Sequence, residues 1–167
     1  LDSLGRQVRH LQASAVDECD PNARFRIGEA LALAGGALED NRKALEAGLH
    51  MLEAECAAQI LADGGHASRS PEALAEALLD IQTVEELLLR VGVAAPAFLT
   101  RLQPRMAAML SFFSLPDGGV LVANGGGDAS GGIAHAAAPQ RRRIGRDVDV
   151  EVGEAALAAA FHEDFEA

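Results

Sequence analysis

The residues best suited to chemistry lie in the stretch QILADGGHASRSPEAL, residues 59–74. His66 titrates near physiological pH, and the guanidinium of Arg69 can hold a carboxylate through two hydrogen bonds. Asp63 and Ser70 can accept hydrogen bonds from backbone amides, and the two glycines between them permit unusual backbone angles. The same residues also fit an ordinary helix stop followed by a serine cap, with His66 and Arg69 in solvent. Both interpretations are open at this point.

Two further patterns suggest ligand binding less strongly. Glu46, His50 and Glu53 follow one another at spacings of 4 and 3, which places them on one helix face. A di-metal helical bundle needs a second Glu-x-x-His copy, and the sequence has none, so we predict a solvated polar face and no metal. The glycine run at residues 125–127 lacks both the lysine and the spacing of a phosphate-binding loop. We therefore predict no cofactor.

The composition describes a folded, acidic chain. It has 167 residues, of which 49% are hydrophobic and 23% charged, so it can bury a core. The formal net charge of −11 argues against broad contact with phosphate backbones, and we predict no nucleic-acid partner. The basic cluster from Arg141 to Arg143, with Arg146, is too short to change this expectation and suits a solvated loop.

Targeting and redox signals are weak. No run of 18 apolar residues is present and the N-terminus has no signal-peptide pattern, so we predict no membrane partner. Residue 1 is Leu rather than Met, which indicates a fragment of a longer protein. Cys19 and Cys56 form no metal-binding spacing, and Cys56 lies on an apolar helix face, as a buried free thiol would. The oligomeric state is left open.

Five helices are predicted to position the loop. Asp20-Pro21 predicts the start of the second helix, Gly64-Gly65 the end of the third, and Ser70-Pro71 the start of the fourth. The short connections between these helices indicate antiparallel hairpins. Apolar residues recur at helical spacing, and the expected core positions are Leu4, Val8, Leu11, Ala15, Leu45, Leu49, Leu52, Cys56, Ile60, Leu74, Leu78, Ile81, Leu88, Val91, Phe98, Leu102, Met106, Met109 and Phe113.

The character of the sequence changes near Asp117. A short strand is predicted over residues 120–123, before a glycine-rich loop, and the alternation in IGRDVDVEVG predicts a second strand. A last helical piece is predicted over residues 154–161. We therefore predict two parts, a helical part over residues 1–117 and a glycine-rich junction with a poorly packed tail over residues 118–167.

The string Q-I-L-x-D-G-G-H-x-x-R-S-P, residues 59–71, resembles the heparinase II/III family of polysaccharide lyases. Glu55 before it, LLDIQ in the next helix and RLQPRMAAMLSFFSLPDGGVLVANGGG extend the resemblance to residues 1–127. The family combines an α/α toroid with a C-terminal β-sandwich. The resemblance therefore implies a mainly α fold, with antiparallel helical hairpins from part of an α/α toroid and a short irregular β-containing C-terminal tail.

The resemblance also implies a reaction, β-elimination on a uronic-acid-containing and therefore acidic polysaccharide. It assigns His66 and Asn22 to catalysis, and Arg69 and Asn22 to substrate binding. The family's two histidines fall on Ala23 and Leu74 here, and the chain contains no Tyr. Because losing a positioned acid or base typically costs about 10²–10⁴-fold in rate, this segment alone is expected to show no lyase turnover.

Three functions compete on the sequence alone. The first is a lyase segment acting on an acidic polysaccharide, for which the resemblance allows a periplasmic location. The second is a catalytically degenerate glycan-binding or structural helical domain. The third is a helical scaffold that binds a protein partner through its acidic face. Without the resemblance, the chain is expected in the cytoplasm.

Overall fold

The computed structural model describes residues 2–38, 41–115 and 120–124. Within these residues the chain is mainly helical and has no β-strand. The prediction of a mainly α fold with five helices is therefore confirmed. The helices are α1 (Asp2–Asp17), α2 (Pro21–Ala37), α3 (Arg42–Gln59), α4 (Pro71–Arg90) and α5 (Ala97–Phe112).

The helix starts follow local capping rules. The Asp20 carboxylate accepts hydrogen bonds from the backbone amides of Asn22 and Ala23, both at 3.3 Å, and thereby satisfies two amides that no helical carbonyl can reach. Ser70 caps α4 in the same way through the amide of Ala73, at 3.3 Å. Pro21 and Pro71 follow their caps, where a missing amide proton costs nothing.

The tightest contact in the fold is between α2 and α3, which run antiparallel. Gly28 lies against Gly48 and Leu52, while Gly35 lies against Leu45. A Cβ atom added to Gly35 would stand 2.1 Å from the Leu45 nitrogen, and one added to Gly48 would stand 2.3 Å from the Ala32 nitrogen. Glycine at these positions therefore lets the two backbones touch.

The main core lies between this pair and the hairpin of α4 and α5. Helix α4 is central and contributes Leu74, Leu78 and Ile81, each at most 1% exposed. The rest of this core includes Phe25, Ala32, Leu45, Leu52, Cys56, Ile60, Val84, Leu88, Phe98, Leu99, Met106 and Leu110. Helix α1 packs on the outside through a smaller cluster formed by Val8, Leu31 and Ala44.

The structure departs from the predicted elements and core positions in four places. Leu4, predicted in the core, is 49% exposed. Helix α3 ends at Gln59, before the glycines, because Ile60 leaves the helix to pair with His66. Val91, predicted in the core, is 41% exposed because α4 ends at Arg90. In α5 the side chains of Leu99 and Leu110 are buried and were not among the predicted core positions.

The end of the described chain contains less β-structure than expected. The strand predicted over residues 120–123 is a single antiparallel bridge between Ser114 and Val120, with one more hydrogen bond from the Leu121 amide to the Phe113 carbonyl, at 2.9 Å. Other expectations for residues 118–167 lie outside the described residues, so the boundary near Asp117 stays a prediction. None of the described helices is both long and apolar enough to cross a membrane.

Candidate functional site

The loop between α3 and α4 folds back on itself. Ile60 and His66 form an antiparallel bridge, in which the Leu61 amide donates to the Gly65 carbonyl at 2.8 Å. The Ala67 amide donates to the Gln59 carbonyl at 2.7 Å. The chain can turn this sharply because Gly64 has a φ of 82°, in the left-handed region that glycine occupies without strain.

The turn fits closely against α5. A Cβ atom on Gly64 would stand 2.4 Å from the Arg105 carbonyl oxygen. The Asp63 carboxylate accepts hydrogen bonds from the Gly65 amide at 2.9 Å and from the Arg69 guanidinium at 2.5 Å. The hydrogen bond from Arg69, and to a smaller extent that from the Gly65 amide, lowers the pKa of Asp63 below its ordinary value. Asp63 and Arg69 thus close the loop across its exposed side.

Arg69 lies in a backbone conformation that is unusual for its type. Its φ is 57°, and its carbonyl accepts a hydrogen bond from the Asn124 side-chain amide at 3.0 Å. Asn124 also has a positive φ, of 50°. The loop is therefore joined to the segment that follows α5, as well as to α5 itself.

His66 lies on the inner side of the loop and is only 9% exposed. Its Nδ1 atom accepts a hydrogen bond from the Ser68 amide at 3.1 Å and lies 2.7 Å from the Ser68 hydroxyl. Its Nε2 atom lies 3.3 Å from the Gln59 Oε1 atom. Because the Gln59 oxygen can only accept, the proton of a neutral imidazole belongs on Nε2. Burial lowers the pKa of His66, which favours this neutral form.

The hydrogen bonds continue from His66 across α3 to α2. The Gln59 amide nitrogen donates to the Pro21 carbonyl at 2.9 Å and to the Glu55 carboxylate at 3.2 Å. The same carboxylate pairs with the Arg24 guanidinium at 2.5 Å, and Glu55 is 8% exposed on its side chain. We call Ser68, His66, Gln59, Glu55 and Arg24 the corner network. It joins the loop to the end of α3 and the start of α2.

The three predicted site residues are placed differently from one another. His66 is inside the corner network, and Arg69 is on the outer side of the loop in its pair with Asp63. Asn22 is exposed in the first turn of α2, next to Pro21, whose carbonyl binds Gln59. The structure therefore brings Asn22 and His66 to the same corner, with Gln59 between them. The Arg69 backbone amide donates a hydrogen bond to the His66 carbonyl at 2.8 Å, but the Arg69 side chain pairs with Asp63 and not with the imidazole.

The described geometry explains the unusual residue string without a substrate. Gln59 and His66 bind each other, Gly64 fits against α5, and Asp63 pairs with Arg69. Ser70 then caps α4.

Four members of the corner network were not predicted as site residues: Arg24, Glu55, Gln59 and Ser68. Glu55 and Gln59 are four residues apart on a mostly apolar helix face, which was the available signal for a buried polar pair. Arg24, their partner from α2, gives no such signal. Glu46, His50 and Glu53 are exposed, and the part of the chain that the structure describes contains no group of three side chains able to hold a metal ion.

Comparisons with known proteins point away from a lyase. The chain is 35% identical to FtsZ-localized protein C of Caulobacter vibrioides over 125 residues, which are 74% of this chain and 21% of that protein. The chain therefore spans about a fifth of the length of this curated relative. No family model matches the chain. No solved structure matches it either.

The heparinase II/III prediction is therefore wrong, because the similarity found is to a protein named for its localisation with FtsZ. The predictions of β-elimination and of an acidic polysaccharide partner are therefore also wrong. The alternative of a catalytically degenerate glycan-binding or structural helical domain does not fit this relative either. The toroid had no other basis than this resemblance. The five helices themselves do not depend on it.

Proposed function

We propose that this chain is a helical protein-interaction module that localises with FtsZ and takes part in bacterial cell division. The observation that carries the proposal is the 35% identity with FtsZ-localized protein C over 125 residues. Identity at this level, extending over 74% of the chain, favours a shared fold and a related role more than a shared short motif would. Of the three functions considered from the sequence, this one corresponds to the helical scaffold with a protein partner.

The geometry of the corner supports a scaffold role. Both ring nitrogens of His66 are engaged inside the corner network, and Asp63 and Arg69 neutralise each other. A buried polar network that is fully bonded makes one arrangement of its helices more favourable than the alternatives. We therefore assign His66 a positioning role, and we place Asn22 and Arg69 on the exposed rim of the scaffold.

The test is the position of the chain in dividing cells. A fluorescent fusion of the full chain is expressed in Caulobacter vibrioides together with differently labelled FtsZ, and a fusion of FtsZ-localized protein C serves as the positive control. We expect the chain to coincide with FtsZ and to disperse when FtsZ is depleted. Uniform fluorescence in cells where FtsZ and the positive control coincide would contradict the proposal.

A second measurement separates this role from an enzymatic one. Replacing His66 by Gln preserves a polar side chain of similar reach but removes the imidazole. If the chain is a scaffold, the variant should still coincide with FtsZ at temperatures where it remains folded. A requirement for the imidazole itself, seen as lost localisation in a fully folded variant, would argue against the scaffold assignment.

A further inference from the structure

The outer face of α5 brings exposed arginines and an exposed aromatic side chain together on one helix. Arg101, Arg105, Ala108 and Phe112 follow at spacings of 4, 3 and 4, so they form one stripe along the helix. All four are exposed, and Phe112 is 81% exposed. We call these four residues the α5 stripe. It combines two cations with a large apolar side chain.

Neither arginine of the stripe forms an ion pair with another described residue. The net charge of the protein is −11, yet the sequence from residue 91 to residue 116 contains no Asp or Glu. Among the described residues, ion pairs are formed by Arg24, Arg26, Arg42, Arg69 and Arg90 and by neither arginine of the stripe. Two guanidinium groups are therefore available for carboxylates from outside.

Apolar side chains extend the stripe at its C-terminal end. Leu115 is 42% exposed, Leu121 47% and Val122 62%. The bridge between Ser114 and Val120 holds Leu121 and Val122 next to the end of α5. Exposed apolar side chains gathered in one place, beside Arg and an aromatic residue, have the composition of an interface centre.

The backbone beneath the stripe is fixed by the loop. Gly64 fits against the carbonyl and the Cβ atom of Arg105. The corner network and the pair between Asp63 and Arg69 hold this loop in place. A rigid support of this kind reduces the entropy lost when a partner binds.

We propose that the α5 stripe, with Leu115, Leu121 and Val122, is the docking surface for a peptide segment of a protein partner that carries carboxylates beside apolar side chains. The carboxylates pair with Arg101 and Arg105, and the apolar side chains cover Phe112 and the residues after it. An anionic membrane fits less well, because two arginines do not offset a net charge of −11. The inference rests on the proposed function for its partner, a protein at the position of FtsZ.

The test uses a charge reversal with a matched control. The stripe variant combines Arg101→Glu, Arg105→Glu and Phe112→Ser in the full chain. The control variant combines Arg6→Glu, Arg9→Glu and Val16→Ser on α1, where the arginines are also exposed and without an ion pair to any described residue, and where Val16 is 80% exposed. Both variants change the net charge equally, and circular dichroism verifies that both stay helical.

Binding is measured by fluorescence anisotropy with a short labelled peptide in which glutamates alternate with leucine and phenylalanine. We expect the stripe variant to bind at least about 10-fold more weakly than the wild type and the control variant to bind within about 2-fold. Raising the salt concentration from about 50 to about 300 mM should weaken wild-type binding, since exposed ion pairs are screened. A peptide with lysines in place of the glutamates should not bind.

Localisation of the same three proteins separates this inference from the proposed function. If the wild type and the control variant coincide with FtsZ while the stripe variant disperses, both the proposed function and the docking surface are supported. If all three coincide with FtsZ, the docking surface is wrong and the proposed function stands. If none does while the peptide binds through the stripe, the proposed function is wrong and the surface stands. Three results would each overturn the inference. These are failure of the peptide to bind, binding of phosphatidylglycerol vesicles through the stripe, and self-association of the chain that the stripe variant abolishes.

Discussion

The surroundings of the His66 imidazole favour its neutral form. Its Nδ1 atom accepts the Ser68 amide proton, and protonating this nitrogen would replace that hydrogen bond with a repulsion between two donors. Burial also lowers the pKa of His66. On protonation, the residue must therefore lose the hydrogen bond from the Ser68 amide, which helps to hold the loop in its folded shape.

This arrangement predicts a loss of stability in mild acid. In the unfolded chain His66 titrates near its ordinary pKa of about 6.5, above its folded value, so the unfolded state binds the proton more readily. The contribution of His66 to the free energy of unfolding should be constant above that pH and fall as the pH decreases below it. The His66→Gln variant should lack this part of the decrease. Chemical denaturation between neutral and mildly acidic pH measures it, with His50→Gln, at an exposed position, as the control.

A side chain at Gly64 would meet two obstacles, the left-handed backbone conformation and the close contact with α5. Gly92 has only the first of these, so comparing the two positions separates the two effects. Gly64 has a φ of 82° and the Arg105 carbonyl 2.4 Å from the position of a Cβ atom, whereas Gly92 has a φ of 70° and open space around it. Gly92→Ala should therefore cost only the left-handed strain, about 1 kcal/mol. Gly64→Ala should add overpacking and cost about 3 kcal/mol in total. Equal losses in denaturant unfolding would show that the contact with α5 relaxes freely.

At the scale of elements, α2 and α3 pack closely because glycines, which have no side chain, lie where the two helices meet. Gly28, Gly35 and Gly48 all lie where the two helices touch, and glycine within a helix is intrinsically unfavourable compared with alanine. The packing free energy gained by the close approach of the two helices must therefore exceed the free-energy cost of placing glycine within a helix. The balance between the two effects can be measured at single positions.

Replacing Gly48 by alanine should destabilise the chain, although alanine is the better helix former. The new Cβ atom would stand 2.3 Å from the Ala32 nitrogen and 2.6 Å from the Gly28 carbonyl oxygen, which is backbone that cannot move locally. We expect a loss of about 2 kcal/mol or more, as overpacking exceeds the propensity gain. Gly5→Ala, whose Cβ atom meets only the end of the Arg9 side chain at 3.9 Å, is the control and should raise stability by up to about 1 kcal/mol. A Gly48→Ala chain as stable as the wild type would disprove the close contact.

At the scale of the whole molecule, one core joins four of the five helices, and Cys56 lies in it. The Cys56 side chain is fully buried, and burial, followed by the charges of Glu55 and Glu53, raises the pKa of the thiol to about 12. Cys19 is exposed. The two thiols therefore differ in access, and burial also makes the Cys56 thiol hard to ionise.

Thiol labelling should report global unfolding. A chromogenic disulfide reagent should modify one thiol per chain rapidly under native conditions and the second only in denaturant, because Cys56 is reached only when the shared core opens. Cys19→Ser should remove the fast reaction and leave the slow one. Rapid modification of Cys56 at neutral pH without denaturant would indicate that α3 separates from the core on its own.

The sequence by itself determined the helices. Caps such as Asp20 and Ser70, and apolar residues at helical spacing, act over a few residues of chain, so they can be read without knowing what packs where. Most of the predicted core positions are buried for this reason. The α5 face was less well predicted, because whether Leu99 or Leu102 faces inward depends on the angle at which α5 meets α4.

Only the tertiary structure decided which partners the polar side chains of the corner have. Arg24 and Glu55 are 31 residues apart, and Asn124 and Arg69 are 55 apart, so no local pattern joins them. A sequence containing His, Asp and Arg does not show whether these side chains contact a ligand or one another. Here they face one another, because Ile60 pairs with His66 and turns the imidazole toward Gln59. The direction of a side chain is set by such long-range contacts, and the free energy they contribute exists only in the folded chain.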